Sequence, residues 1–276
     1  MVSLGAAFSS GQTSDWQHAR QLYQRTEYRA SMEVLSTIEN KDTNALKLMG
    51  QDYFMLGEYS RATEFLERAA ALAPADADCL LWLGRAFGRR AETSGPFTAP
   101  GYAAKSRQMF ERAVALSPGN REAIGDLFDY YLQAPRFLGG GENKAAALVT
   151  QVERIDPAEG HYYQALLAEK HREYDRAEEH LRAALELAPR QLGRLLALAT
   201  YLAKRGRASE SDALFEQAER LAPAAPKVLF ERAQACLETG RKQEARHLLE
   251  RYLQSPVTPS DPPKSGAEAL LRKIGA

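Results

Sequence analysis

Residues 158–191 read AEGHYYQALLAEKHREYDRAEEHLRAALELAPRQ, and residues 192–225 read LGRLLALATYLAKRGRASESDALFEQAERLAPAA. Laid one under the other they repeat at a spacing of 34. Tyr174, Ala177, Leu181, Ala184, Leu187 and Pro189 stand over Ala208, Ser211, Phe215, Ala218, Leu221 and Pro223. Apolar residues three and four apart predict amphipathic helices. Small residues at recurring positions let two helices touch, and a proline ends the second helix of each pair. The stretch therefore reads as two successive helical hairpins, and a fixed period of this length marks stacked units rather than one central core.

Extending the register outward gives an all-α chain of about seven hairpins. The first, at 12–42, is degenerate, with Trp16, Ala19, Leu22, Tyr28, Leu35 and Ile38 as its apolar face. The second, 43–76, places Gly50, Ala62 and Ala69 where its helices approach most closely and Gly57 at the turn between them. The units at 77–120 and 121–157 each carry an insertion after the first helix: AETSGPFTAPG from Ala91 to Gly101, and APRFLGGG from Ala134 to Gly141. Rich in glycine and proline, both read as loops. Regular units follow at 158–191 and 192–225, then a seventh at 226–256. A linker and a capping helix occupy 257–276: after the breaker SPVTPSDPPKSG the short helix has Asp261 as its cap, Pro262 at its first position, and Ala267, Leu270, Leu271 and Ile274 as an apolar stripe that covers the open end.

Lysine plus arginine and aspartate plus glutamate are each 36, so no basic stripe advertises nucleic acid. The two cysteines, Cys79 and Cys236, lie several repeats apart, well beyond the ~7 Å Cα separation a disulfide tolerates. No apolar run reaches the ~20 residues of a membrane span, so a soluble chain without a transmembrane segment is expected. Residues 1–11, MVSLGAAFSSG, read as a flexible terminus or a signal remnant.

The chain resembles the tetratricopeptide-repeat (TPR) family from about residue 12 to 256, best in the second, fifth and sixth units. YYLQAPRFLGGGENKA, with DPAEGHYYQALLAE and EYDRAEEHLRAALELAP after it, is similar to a bacterial group with a glycine-rich insertion at this point. Some members of that group look exported, which leans localisation toward the periplasm or envelope. The resemblance implies a right-handed superhelical solenoid with a C-terminal capping helix. Its first helices would line a concave groove that holds a protein or peptide segment. Groove positions carried over through the register include Trp16, Arg20, Lys47, Phe54, Leu81, Arg85, Arg89, Asp129, Tyr162, Lys170, Leu196 and Phe230. Family members that hold a C-terminal carboxylate use a lysine, asparagines and further basic residues. Lys47 matches the lysine, but Gln51 and Arg85 replace asparagines, and Glu122 and Asp126 stand where bases belong. That subtype is not expected here.

Gly139, Gly140 and Gly141 with Lys144 suggest a phosphate cradle, but the spacing is not that of a P-loop and no Ser or Thr follows the lysine. His161, His171 and His180 share one unit at spacings that do not obviously converge, so they read as solvated or capping side chains rather than metal ligands. The two insertions, being in neighbouring units, should bring Phe97 and Tyr102 near Phe137, Leu138 and the glycine run as a second contact patch, or else as a lid.

These readings converge on a non-enzymatic protein-interaction adaptor without a cofactor, its oligomeric state open. The alternatives are an enzyme or small-ligand binder using the inserted segments and the histidines, or an architectural subunit with apolar residues exposed on its second helices. If the groove side chains are free, replacing Arg85, Arg89 and Tyr162 together should leave thermal unfolding almost unchanged.

Overall fold

The computed structural model describes residues 10–275, with side chains from residue 15. The reading of residues 1–11 falls outside this range apart from Ser10 and Gly11, which begin the first helix. The chain packs as two compact units, one reaching to Ala145 and one running from Ala146 onward. The first contains α1 (Ser10–Gln24), α2 (Tyr28–Ser36), α3 (Thr43–Met55), α4 (Tyr59–Leu72), α5 (Ala77–Thr93), α6 (Ala99–Leu116), α7 (Arg121–Gln133) and a single 3-10 turn, Arg136–Leu138. The boundary falls inside α8 (Glu142–Ile155). The second unit continues with α9 (Pro157–Lys170), α10 (Tyr174–Leu187), α11 (Leu192–Lys204), α12 (Ala208–Leu221), α13 (Pro226–Glu238), α14 (Lys242–Gln254) and α15 (Lys264–Gly275). Among the described residues every regular element is helical, and no helix is long and apolar enough to cross a membrane.

Local chemistry explains where the helices start and turn. Asp42, Asp76, Asn120 and Asp156 each accept backbone amide protons at the start of α3, α5, α7 and α9, satisfying donors that have no intrahelical partner. Gly57, Gly206 and Gly240 close three hairpins in the left-handed region, at φ of 79°, 75° and 78°. Thr26 and Arg172 hold the equivalent position in α1/α2 and α9/α10 at 62° and 61°, against the Cβ penalty that glycine avoids. Gly50 is required by close approach: a Cβ there would lie 2.4 Å from Leu66 Cγ on the facing helix.

The first insertion is not the loop its composition suggests. α5 and α6 run for 17 and 18 residues against 13 and 14 in α3 and α4, so most of the extra residues extend both helices. Only Ser94–Thr98 remains between them. Pro100 is accommodated in the first turn of α6, where its missing N–H costs no hydrogen bond. The extension is held by Tyr102, which stacks on Phe87 with ring centroids 6.2 Å apart and lies under the Arg90 guanidinium at 4.0 Å.

α15 does cover the end of the second unit. Ala267 is buried, and Leu270, Leu271 and Ile274 pack on the cluster of Phe230, Ala233, Leu249 and Tyr252. The helix starts later than its sequence suggests. Asp261 turns its carboxylate back to accept the Thr258 amide and hydroxyl, both at 2.9 Å, and the Pro262 carbonyl accepts the Tyr252 hydroxyl. Those bonds fix the segment before Lys264 as a turn. Cys79 and Cys236 are both free and buried, and burial pushes their thiols up to about 12 and about 11, which leaves them protonated.

Candidate partner-binding surface

In the first unit, the first helices of successive hairpins touch one another through charged side chains. Lys47 on α3 donates to Asp76 and sits 3.0 Å from both Asp76 and Asp78, at the start of α5. Burial pulls the Lys47 ammonium down, but bonds to Asp78 and Asp76 hold it above its ordinary range. Arg85 on α5 donates to Asp126 at 2.5 Å and to Glu122 at 2.9 Å, both on α7. Burial, helped by the Glu122 charge, raises the Asp126 carboxyl although Arg85 pulls it down. Two cations of the expected groove are thus each neutralised by a carboxylate pair from the next hairpin.

Aromatic rings lie between these ties. Phe54 meets Tyr59 and Trp82 edge to face, with centroids 5.6 and 5.4 Å away. Arg85 lies 5.0 Å over the Trp82 ring, and Arg89 5.2 Å over Tyr59. Phe54, Tyr59 and Trp82 are all partly exposed, forming an amphipathic platform. Trp82 lies outside the sequence mapping, which places Leu81 on the same helix face. Leu81 is 1% exposed, and on a 3.6-residue period the surface face runs through Trp82, Arg85 and Arg89. The platform is bordered by acids on α7: Glu122 and Asp129 both reach the surface, although the neighbouring atoms that enclose part of the Asp129 carboxyl, and then the Asp126 charge, raise it. Trp16 and Arg20 pair with each other on α1 at 5.4 Å.

In the second unit, Glu159 and Arg194 form a buried ion pair between α9 and α11, and the Arg194 guanidinium covers the Tyr162 ring at 4.5 Å. Lys170 is exposed at the end of α9. Two mapped positions are corrected. Leu196 is 1% exposed and belongs to the core, and Phe230 is 8% exposed, packed on Tyr252 and facing α15. The capping helix occupies the surface Phe230 would have offered.

The second insertion is a closed turn. The amides of Gly139, Gly140 and Gly141 donate to Arg136, Pro135 and Tyr131 carbonyls, and the Lys144 ammonium donates to the Gly139 carbonyl at 2.8 Å. These donors are committed within the turn, which removes the phosphate-cradle geometry. Tyr130 donates to the Leu138 carbonyl at 2.9 Å. Gly139 lies against Arg107 of α6, and a Cβ on Gly140 would lie 2.0 Å from the Ala134 carbonyl oxygen. Of the seven residues assigned to the inserted patch, Phe97 and Phe137 are 98% and 81% exposed. Tyr102, Leu138, Gly139 and Gly141 are partly buried and Gly140 is buried.

Among the described residues no group of three or more His, Cys, Asp or Glu gathers to hold a metal ion. Two of the three histidines nevertheless meet. The Nδ1 atoms of His161 and His180 are 3.1 Å apart across the α9/α10 hairpin, a convergence concealed by their sequence separation, while His171 is exposed at the end of α9.

Residues 196–262 match the sequence profile of the tetratricopeptide repeat. No curated protein gives a significant match. Among solved structures, a tetratricopeptide repeat protein from Parabacteroides merdae superposes with a TM-score of 0.59 at 13% identity, covering 96% of this chain and 98% of that one. A thermophilic TPR protein of Thermus thermophilus gives a TM-score of 0.51 at 24% identity, covering 71% of this chain and 99% of that one.

Proposed function

Since the chain carries tetratricopeptide repeats on the fold of tetratricopeptide solenoids, we propose that it is a non-catalytic protein-interaction adaptor, with the first-helix face of its first unit as the binding surface. The preferred ligand is an extended segment whose aromatic or aliphatic side chains rest on Phe54, Tyr59 and Trp82 and whose basic side chains face Glu122 and Asp129. The observation that carries this reading is the neutralisation of Arg85 between Glu122 and Asp126. It withdraws Arg85, and Arg89, the other cation of the platform, is tied to Glu92, so the platform offers an acidic segment neither cation and leaves acids at the border. The exposed Phe97 and Phe137 are proposed as outlying anchors.

A displayed peptide library tests the ligand class. Enrichment of sequences combining aromatic with lysine or arginine residues is expected, with binding lost in the Glu122→Lys/Asp129→Lys variant and weakened by salt. Enrichment of acidic C-terminal sequences, or binding indifferent to charge reversal, overturns the proposal. A second, architectural reading draws on Leu72 and Leu116 in the first unit and Leu187 and Leu221 in the second. Each ends a second helix, and they are 62, 47, 55 and 40% exposed in turn. Sedimentation of the same sample decides it: a monomer at all concentrations sets self-assembly aside.

A further inference from the structure

His161 on α9 and His180 on α10 approach with their Nδ1 atoms 3.1 Å apart, ring centroids 5.3 Å apart and planes tilted by 35°. This contact requires one ring to carry its proton on Nδ1 and the other on Nε2, since two Nδ1–H groups would confront each other. The spacing has a second meaning. Two imidazole nitrogens bound to one zinc ion at ~2.1 Å with a tetrahedral angle lie about 3.4 Å apart. In the cis positions of a square-planar copper site the separation is about 2.9 Å. The observed separation lies between the two, so the nitrogens need move only a few tenths of an ångström, while each ring turns by about 40° to aim its Nδ1 lone pair at the ion instead of at the other nitrogen. The pair is held on two helices packed as one hairpin, and is therefore preorganised.

The geometry points to a two-histidine site for a divalent transition metal of the zinc or copper type, formed by His161 and His180, with water in the remaining positions. On binding, the ring that carries its proton on Nδ1 moves it to Nε2 through solvent, so both Nδ1 lone pairs face the ion and no net proton is released. Imidazole nitrogens select zinc, copper or nickel over calcium and magnesium, which prefer oxygen. The surroundings of His180 favour the neutral ring that ligation needs. Burial, then the neighbouring His161 and Arg176, hold the His180 imidazolium below its usual range, while Glu179 and Glu153 oppose them. The Glu153 carboxylate, faced by Gln164 Nε2 at 3.4 Å, acts on the pair through its charge alone. The bound ion would tie α9 to α10.

The test is titration of the full chain, free of any affinity tag, with Zn2+ and Cu2+ at about pH 7.5, where neutral imidazole predominates. Saturation at one ion per chain is expected, with a raised unfolding temperature and no response to Ca2+ or Mg2+. Affinity should fall at least about tenfold in His161→Ala and in His180→Ala and stay unchanged in His171→Ala. Absence of stoichiometric uptake, or uptake indifferent to both first substitutions, overturns the site. Should either variant lose its helicity, the Cu2+ electron paramagnetic resonance spectrum of the wild type decides. Couplings from two imidazole nitrogens support the pair, and one or none refutes it.

Discussion

Arg85→Ala separates a structural tie from a free binding residue. The Arg85 side chain is 22% exposed and makes three contacts: Asp126 at 2.5 Å, Glu122 at 2.9 Å, and the Trp82 ring at 5.0 Å. Glu122 is 69% exposed, so that pair contributes at most ~0.5 kcal/mol after solvent screening. Asp126 is 27% exposed, and losing its partner costs about 1–2 kcal/mol, below the range for a wholly buried pair. Contact with Trp82 adds ~0.5–1 kcal/mol. The sum is about 1.5–3.5 kcal/mol, read as a lowered urea midpoint at constant slope. The loss should shrink as the solution is acidified, because Asp126, already raised by burial, takes up a proton and then needs no counter-ion. Replacing Asp126 by Asn in the same chain should return part of the loss, since the remaining cost is that of an unpaired carboxylate. A change below ~0.5 kcal/mol at neutral pH would refute the reasoning and leave Arg85 a solvent-held side chain.

Two further perturbations probe the first unit. Asp52 is fully buried and accepts the Ser31 hydroxyl at 2.7 Å, yet its other oxygen has no hydrogen-bond partner; burial, opposed by Ser31, raises its carboxyl to about 7. The folded state therefore holds this proton more tightly than the unfolded state. Its contribution is full below about pH 4 and is lost as pH rises through about 7, a change on the order of 4 kcal/mol. Asp52→Asn should flatten the stability profile between these values relative to wild type, and parallel profiles would exclude the assignment. Gly140→Ala drives a Cβ into the Ala134 backbone and should cost about 1–3 kcal/mol in thermal unfolding. Gly95→Ala, where nothing lies within 4 Å, should stay within ~0.5 kcal/mol.

The sequence by itself determined whatever depends on period and local chemistry. A spacing of 34 between Tyr174–Pro189 and Ala208–Pro223 sets the hairpins, because helical packing repeats only when small and large residues recur in step. Gly57 at a turn, Gly50 at a close approach and the apolar stripe of α15 follow from the same residue-by-residue physics. Only the tertiary structure decided which side chains remain available. Leu81, Leu196 and Phe230 occupy register positions of the surface but turn into the core or under α15. A one-residue step on a helix moves a side chain by about 100°, finer than a repeat register resolves. The glycine and proline content of Ala91–Gly101 reads as a loop, yet the stacking of Tyr102 on Phe87 holds most of it helical, since packing overrides weak local propensity. Lys47 and Arg85 look alike as cations in sequence, and only the neighbouring hairpins supply the carboxylates that neutralise them. His161 and His180 show the same limit. Their 19-residue separation carries no mark of a contact that exists because two helices, each specified locally, pack face to face.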